Sequence, residues 1–179
     1  MAEADAQTQA AFLSVSPHQR VPALTLESGG GLCESGAIAL YLADTLDNGH
    51  YAISQSSVDR PEYLQWLFYL SSTLQPDVMM QFHPEYYFDD KDSQNALMHA
   101  AMQRLNEIWA ILEQRYANGP WMFDNRPTAV DFSLVTVLRW PECFNNGIGD
   151  YPNLQRTLEA IANRPACQRV FRWHDGDTR

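Results

Sequence analysis

The chain has 179 residues, 45% of them apolar, enough to build one core or two small ones. Acidic side chains outnumber basic ones 22 to 12, the formal charge is −10, and Lys91 is the only lysine, so nucleic acid and anionic membrane surfaces are not expected partners. Three widely spaced cysteines (Cys33, Cys143, Cys167) in no CxxC pair argue against a disulfide framework or a zinc site. No stretch of ~18 apolar residues and no basic-then-apolar leader interrupts the reading of a soluble, cytoplasmic protein.

In chain order, Ala2–Leu13 is rich in helix formers and should stop before Ser16-Pro17, because a residue that precedes proline is pushed out of the helical region. The run Val21–Leu26, the Ser28-Gly29-Gly30-Gly31 turn and Leu32-Cys33 predict a β-hairpin. Glu34-Ser35-Gly36 then opens a helix with Ile38, Leu42 and Leu46 at helical spacing, which ends at Asp47-Asn48-Gly49. The polar, irregular stretch 50–58 reads as a linker, and everything after it as helix.

Asp59 and Glu62 suggest a capping box at the head of a long helix, Tyr63–Met80, in which Pro76 should force a kink or break. His83–Asp92 reads as a loop, and Ser93–Tyr116 as a helix with Leu97, Ala101, Leu105, Ile108 and Leu112 on one stripe and Trp109 beside it. Thr128 and Asp131 bracket the start of an almost uncharged helix, Phe132–Arg139. Tyr151-Pro152 opens another, and Arg164-Pro165 a last one ending near Phe171, before a loose tail over 173–179.

Pro22 lies inside a predicted strand, where it removes a ladder hydrogen bond. A trans proline on an edge strand and a cis Val21-Pro22 bond both answer that problem locally. The run Pro17-His18-Gln19-Arg20-Val21-Pro22-Ala23-Leu24, followed by Cys33-Glu34-Ser35-Gly36-Ala37-Ile38 and Tyr41-Leu42-Ala43, resembles the glutathione-site half of cytosolic glutathione S-transferases. Thr128-Ala129-Val130-Asp131-Phe132, with Arg126 before it and Tyr151-Pro152-Asn153-Leu154 and Asn163-Arg164-Pro165 after it, resembles their helical second domain. The likeness runs from about Phe12 to Phe171.

The resemblance implies a mainly helical α+β chain: a partial thioredoxin-like, glutathione-binding domain over 1–49, a linker over 50–58, and an all-helical domain over 59–172. It implies a cis Val21-Pro22 bond, with the main chain of Val21 against the cysteinyl part of glutathione, and Glu34 and Ser35 at its γ-glutamyl end. Physical chemistry agrees, since a serine at a helix N-terminus offers its hydroxyl and free N–H groups to a carboxylate, although a serine there also serves as a simple cap. Thr128 and Asp131 are implied to be a structural capping box.

Among further candidates, the aromatics around Trp66 and Tyr69 could line an apolar cosubstrate pocket or simply pack a core. The five histidines show no metal-ligand spacing, so no metal is expected. Cys33, before a helix start, reads as a small buried hydrophobe rather than a reactive thiol.

The family's first domain opens strand-helix-strand, with a sulfur-activating Ser, Tyr or Cys just after the first strand, whereas this chain opens on what resembles that domain's second helix. No residue here takes over the activator's role, so the catalytic residue is unassigned and turnover is expected only if the activator is supplied. The strand edge over Val21–Leu26 would then be covered by a partner chain or by a longer natural product. Two functions stay open: a transferase that conjugates the glutathione thiolate to small hydrophobic electrophiles or uses it for reduction, and a non-catalytic interaction or regulatory module on the same fold. A homodimer through 37–46 and 63–80 is expected, with Tyr41, Trp66, Phe68 and Tyr69 on its surface.

Overall fold

The structure is a computed structural model that describes residues 6–123 and 126–174. The first residues of the expected N-terminal helix and most of the expected tail lie outside these. Helix α1 spans Ala6–Val15 and ends where Ser16 turns the chain: its hydroxyl donates to the Arg20 carbonyl at 2.7 Å and accepts from the Arg20 N–H at 3.0 Å. That closed loop delivers the chain to a two-stranded antiparallel hairpin, β1 (Ala23–Thr25) and β2 (Gly31–Cys33), with Leu24 opposite Leu32. The hairpin packs against α1 and against α2 (Ser35–Thr45). Gly31 is required there, because a Cβ would lie 2.7 Å from the Val15 Cα.

The hairpin and α2 are the expected partial α/β unit, with a shorter β1 than expected. Asp47 and Asn48 at φ 48° and 53° turn the chain after α2, and the linker follows. It is less free than its composition suggests. Ala52 and Ile53 are buried, the Ala129 N–H donates to the Tyr51 carbonyl at 2.9 Å, and Arg126 donates to the carbonyls of His50 and Ala52. Arg60 forks onto Asp44 of α2 with two 2.7 Å bonds and also donates to the Ile53 carbonyl, so it ties α2, the linker and the next helix together.

The long helix expected over Tyr63–Met80 is two helices, α3 (Arg60–Tyr69) and α4 (Gln75–Phe82), joined by a π turn over Leu70–Leu74. The break precedes Pro76 because proline brings no N–H to the ladder and crowds the carbonyl one turn back, and the widened turn absorbs the mismatch. The capping box expected from Asp59 and Glu62 is not formed. Asp59 makes no side-chain cap, and the Glu62 carboxylate instead accepts from Trp66 Nε1 at 3.3 Å and pairs with Arg115 at 3.0 Å. Pro61, in the first turn of α3, needs no cap of its own.

Helix α5 (Lys91–Arg115) runs beside α4 and buries Ala101, Leu105, Ile108, Trp109 and Leu112 of the stripe its periodicity predicts, while Leu97 at its head is only half-buried. Helix α6 (Ala129–Leu138) starts three residues earlier than expected, is buried on most sides, and touches α2, α3 and α7 (Pro152–Ala162). Helix α8 (Pro165–His174) packs on α7 and continues past Phe171, where its end was expected. One hydrophobic core joins α2 through α7. Among the described residues, no helix is long and apolar enough to cross a membrane.

Candidate functional site

A cleft of about 370 Å3 opens between the hairpin unit and the helices. Its floor comes from Val21, Pro22, Ser35 and Gly36, and its wall from Leu67, Leu70, Ser71, Leu74 and Gln75 of α3, the π turn and α4. Ser133, Thr136 and Val137 of α6, with Trp140 just beyond it, complete the lining. Three of the four residues expected at a glutathione site thus share one cavity. The fourth, Glu34, adjoins it in the chain.

The local geometry explains why these residues meet. The Val21-Pro22 bond is cis, as the resemblance implies, and Val21 precedes the β1–β2 ladder with 82% of its surface exposed. Glu34 is the N-cap of α2 at φ 72°, ψ 114°, a region that costs a non-glycine residue free energy and that folds keep chiefly where function needs it. Held this way, its side chain gives no cap to α2. The first intrahelical bond, from the Ile38 N–H to the Glu34 carbonyl at 2.9 Å, leaves the amides of Ser35, Gly36 and Ala37 ahead of the ladder. Gly36 lets this helix end approach the wall closely, since a Cβ there would lie 3.1 Å from Ser71 Oγ.

Three other helix starts are closed by side chains. At α5, the Asp90 carboxylate accepts from the Ser93 N–H at 2.8 Å. At α7, Glu113 reaches over from α5 and accepts from the N–H groups of Asn153 and Leu154 at 2.9 and 3.0 Å. At α6, both halves of the Thr128/Asp131 box are present: one Asp131 oxygen accepts from the Thr128 N–H at 2.7 Å and from its hydroxyl at 3.0 Å. The other oxygen accepts from the Tyr116 hydroxyl at 2.8 Å and from the Met122 N–H at 2.9 Å. Burial pushes the Asp131 carboxyl above its usual range against the pull of these bonds, and pushes the Tyr116 hydroxyl well up. Helix α2 has no acidic residue in its first turn and no side-chain cap, so its positive end is open to the cleft.

Trp66 and Tyr69 do not line this cleft. Trp66 is 9% exposed, packs edge to face on Tyr69 at 5.3 Å, and belongs to the core. The stripe through Leu67, Leu70, Ser71 and Leu74, carried from α3 into the π turn, faces the cavity, and Trp66 and Tyr69 lie off it. The cleft aromatic is Trp140, which the sequence reading passed over. Its signal is the Trp140-Pro141 pair, where proline ends α6 and leaves the preceding side chain at the rim. Phe82 meets its ring edge to face at 5.4 Å.

Cys143 is buried, with its thiol pushed up to about 12, and Cys33 is only half-buried in β2. Ser14 and Ser16 spend their hydroxyls on local carbonyls. Among the described residues, no group of three or more His, Cys, Asp or Glu is placed to hold a metal ion.

Comparison with known proteins gives the same picture. Residues 1–44 match the glutathione S-transferase N-terminal domain, and residues 76–165 the C-terminal domain. Glutathione S-transferase GstA of Escherichia coli O157:H7 is 28% identical over 157 residues, covering 88% of this chain and 75% of that protein. The disulfide-bond oxidoreductase YfcG of Escherichia coli K12 is 29% identical over 193 residues, covering 94% and 79%. Among solved structures, a sphingomonad glutathione S-transferase complexed with glutathione superposes with a TM-score of 0.79 at 29% identity, over 92% of this chain and 79% of that one. The chain belongs to the glutathione S-transferase family.

Proposed function

We propose that the cleft binds glutathione and uses its thiol on small hydrophobic electrophiles. The observation that carries this reading is the uncapped α2 N-terminus, which shares one cavity with Val21-Pro22 and a neutral helical wall. The Ser35 hydroxyl and the amides of Ser35 and Gly36 would receive a glutathione carboxylate, Glu34 its cationic amine, and the main chain of Val21 its cysteinyl part. The residues present fit that group: an anion site, a neighbouring carboxylate, and an exposed extended segment lie within one short stretch of the fold. Bound there, glutathione would supply a thiol that gives up its proton to solvent as its sulfur bonds to an electrophilic carbon, and the leaving group departs with the electron pair of the broken bond. The chain's share is to orient the tripeptide and to exclude water through Leu67, Leu70, Leu74 and Val137.

The solved relative complexed with glutathione supports this reading, and the oxidoreductase among the relatives supports glutathione-dependent disulfide reduction as the neighbouring chemistry. The proposed division into a glutathione domain over 1–49, a linker over 50–58 and a helical domain over 59–172 follows the same likeness. We assign the protein to the cytoplasm, in keeping with its free cysteines. A homodimer through α2 and α3 is proposed on the exposure of Tyr41 and Phe68, whereas Trp66 is too buried to take part. The test is retention on immobilised glutathione followed by a conjugation assay. Retention is the expected result, with turnover where a sulfur-activating residue is supplied. Neither retention nor turnover would favour the interaction module instead.

A further inference from the structure

We propose a second ligand site, outside the cleft, for an unbranched alkyl carboxylate, whose chain lies in an apolar chamber between α6 and α8 and whose head meets Arg172. Residues at the end of α6 divide between two cavities. Thr136, Val137 and Trp140 line the cleft, whereas Leu138, Arg139 and Pro141 line a separate chamber of about 560 Å3. Leu158 of α7, Phe171 of α8, and Phe144 and Ile148 of the connection from α6 to α7 enclose it. The chamber has the size of a small-molecule site and a mostly apolar lining. Through Ala162 and Phe171 it continues into an open hollow of about 300 Å3, where Gln168 and Arg172 stand. Apolar walls at one end and a guanidinium at the other match a ligand with a hydrocarbon chain and an anionic head. The site lies within the helical domain and does not depend on glutathione binding.

Local charge gives the head its sign. The protein as a whole carries −10, so its average field attracts cations. Residues 164–174 reverse this, with Arg164, Arg169 and Arg172 and no carboxylate. Among the described residues, none of these three arginines forms an ion pair. Arg164 faces the Phe132 ring at 5.8 Å, and Arg172 donates its Nε to the Gln168 carbonyl at 3.3 Å, which leaves its terminal nitrogens available to a carboxylate. The Arg139 guanidinium lies 3.9 Å over the Phe171 ring and holds further positive charge beside the shared wall. Glu159 of α7 is the one carboxylate in the lining. It accepts from Gln155 at 2.9 Å and borders the chamber but not the hollow, so it turns an anionic head toward α8.

Methyl NMR of the full chain, titrated with decanoate, hexanoate and decylammonium at submicellar concentrations, tests this. Decanoate should shift the methyl signals of Ile148 and Leu158 and leave in place those of Leu70 and Leu74, which line the cleft. It should bind about tenfold or more tightly than hexanoate, because its additional methylenes enter the chamber, and several-fold more tightly than decylammonium. Arg172→Glu, at an exposed position, should lower the decanoate affinity about fivefold and reverse the preference over decylammonium. Absence of shifts at Ile148 and Leu158, no gain from chain length, or a parent that prefers the ammonium would each overturn the proposal. So would an Arg172→Glu variant that binds decanoate as tightly as the parent does.

Discussion

Helices α6 and α2 begin on opposite terms. At α6, Thr128 and Asp131 are fully buried and satisfy the helix end from within, and Asp131 also holds Tyr116 and the Met122 amide. At α2, no side chain closes the end, Glu34 sits at positive φ, and the first-turn residues line a cleft. The same elementary requirement, a partner for the leading N–H groups, is met by structure in one place and, in the function proposed above, by a ligand in the other. Stability and binding should therefore separate along this line.

The largest effect is expected at the closed end. Asp131→Ala strips partners from four buried donors and should cost about 3 kcal/mol or more, lowering the melting temperature by roughly 6–12 °C in a chain of this size. The glutathione affinity of the folded variant should not change. Unchanged melting would break the contrast at once.

Next comes the open end, where Ser35→Ala should weaken glutathione binding by about 1–3 kcal/mol and leave the melting temperature within ~1 °C. A stability loss comparable to that of Asp131→Ala would make Ser35 a cap and nothing more. Glu113→Gln sharpens the comparison from a third helix start, since it removes the charge that α5 lends to α7. It should cost about 1 kcal/mol in chemical denaturation, with no effect on binding.

The smallest effect is a pH dependence. The folded state holds the Asp131 carboxyl above its usual 3.8, so its contribution is fully present below that value and is lost as pH rises through the folded pKa. Denaturation of the parent and of Asp131→Asn should show the parent's advantage growing as pH falls from neutrality toward 3.8. A shrinking advantage on acidification would mean that the four hydrogen bonds outweigh burial.

What the sequence disclosed was local or periodic. The α5 stripe, the glycine hairpin and the Thr128/Asp131 pair are encoded within a few residues, and each lies close to where its pattern placed it. What it hid was settled by distant partners. Glu62 had the spacing of a capping box, yet Arg115, 53 positions on, draws its carboxylate away. Glu113 caps a helix that begins 39 residues later, and no local pattern announces this. Trp66 and Trp140 are equally aromatic in sequence, and only helix phase and the proline after Trp140 send the first to the core and the second to the cleft.

Hydrogen exchange at single amides, with and without glutathione, tests the central contrast most directly. The amides of Ser35, Gly36 and Ala37 should exchange fast in the free protein and slow by tenfold or more when glutathione is added, by the order of magnitude that a new hydrogen bond provides. Those of Thr128 and Asp131 should be slow in both states. No change at residues 35–37 under saturating glutathione, or equal changes at both helix starts, would contradict the account.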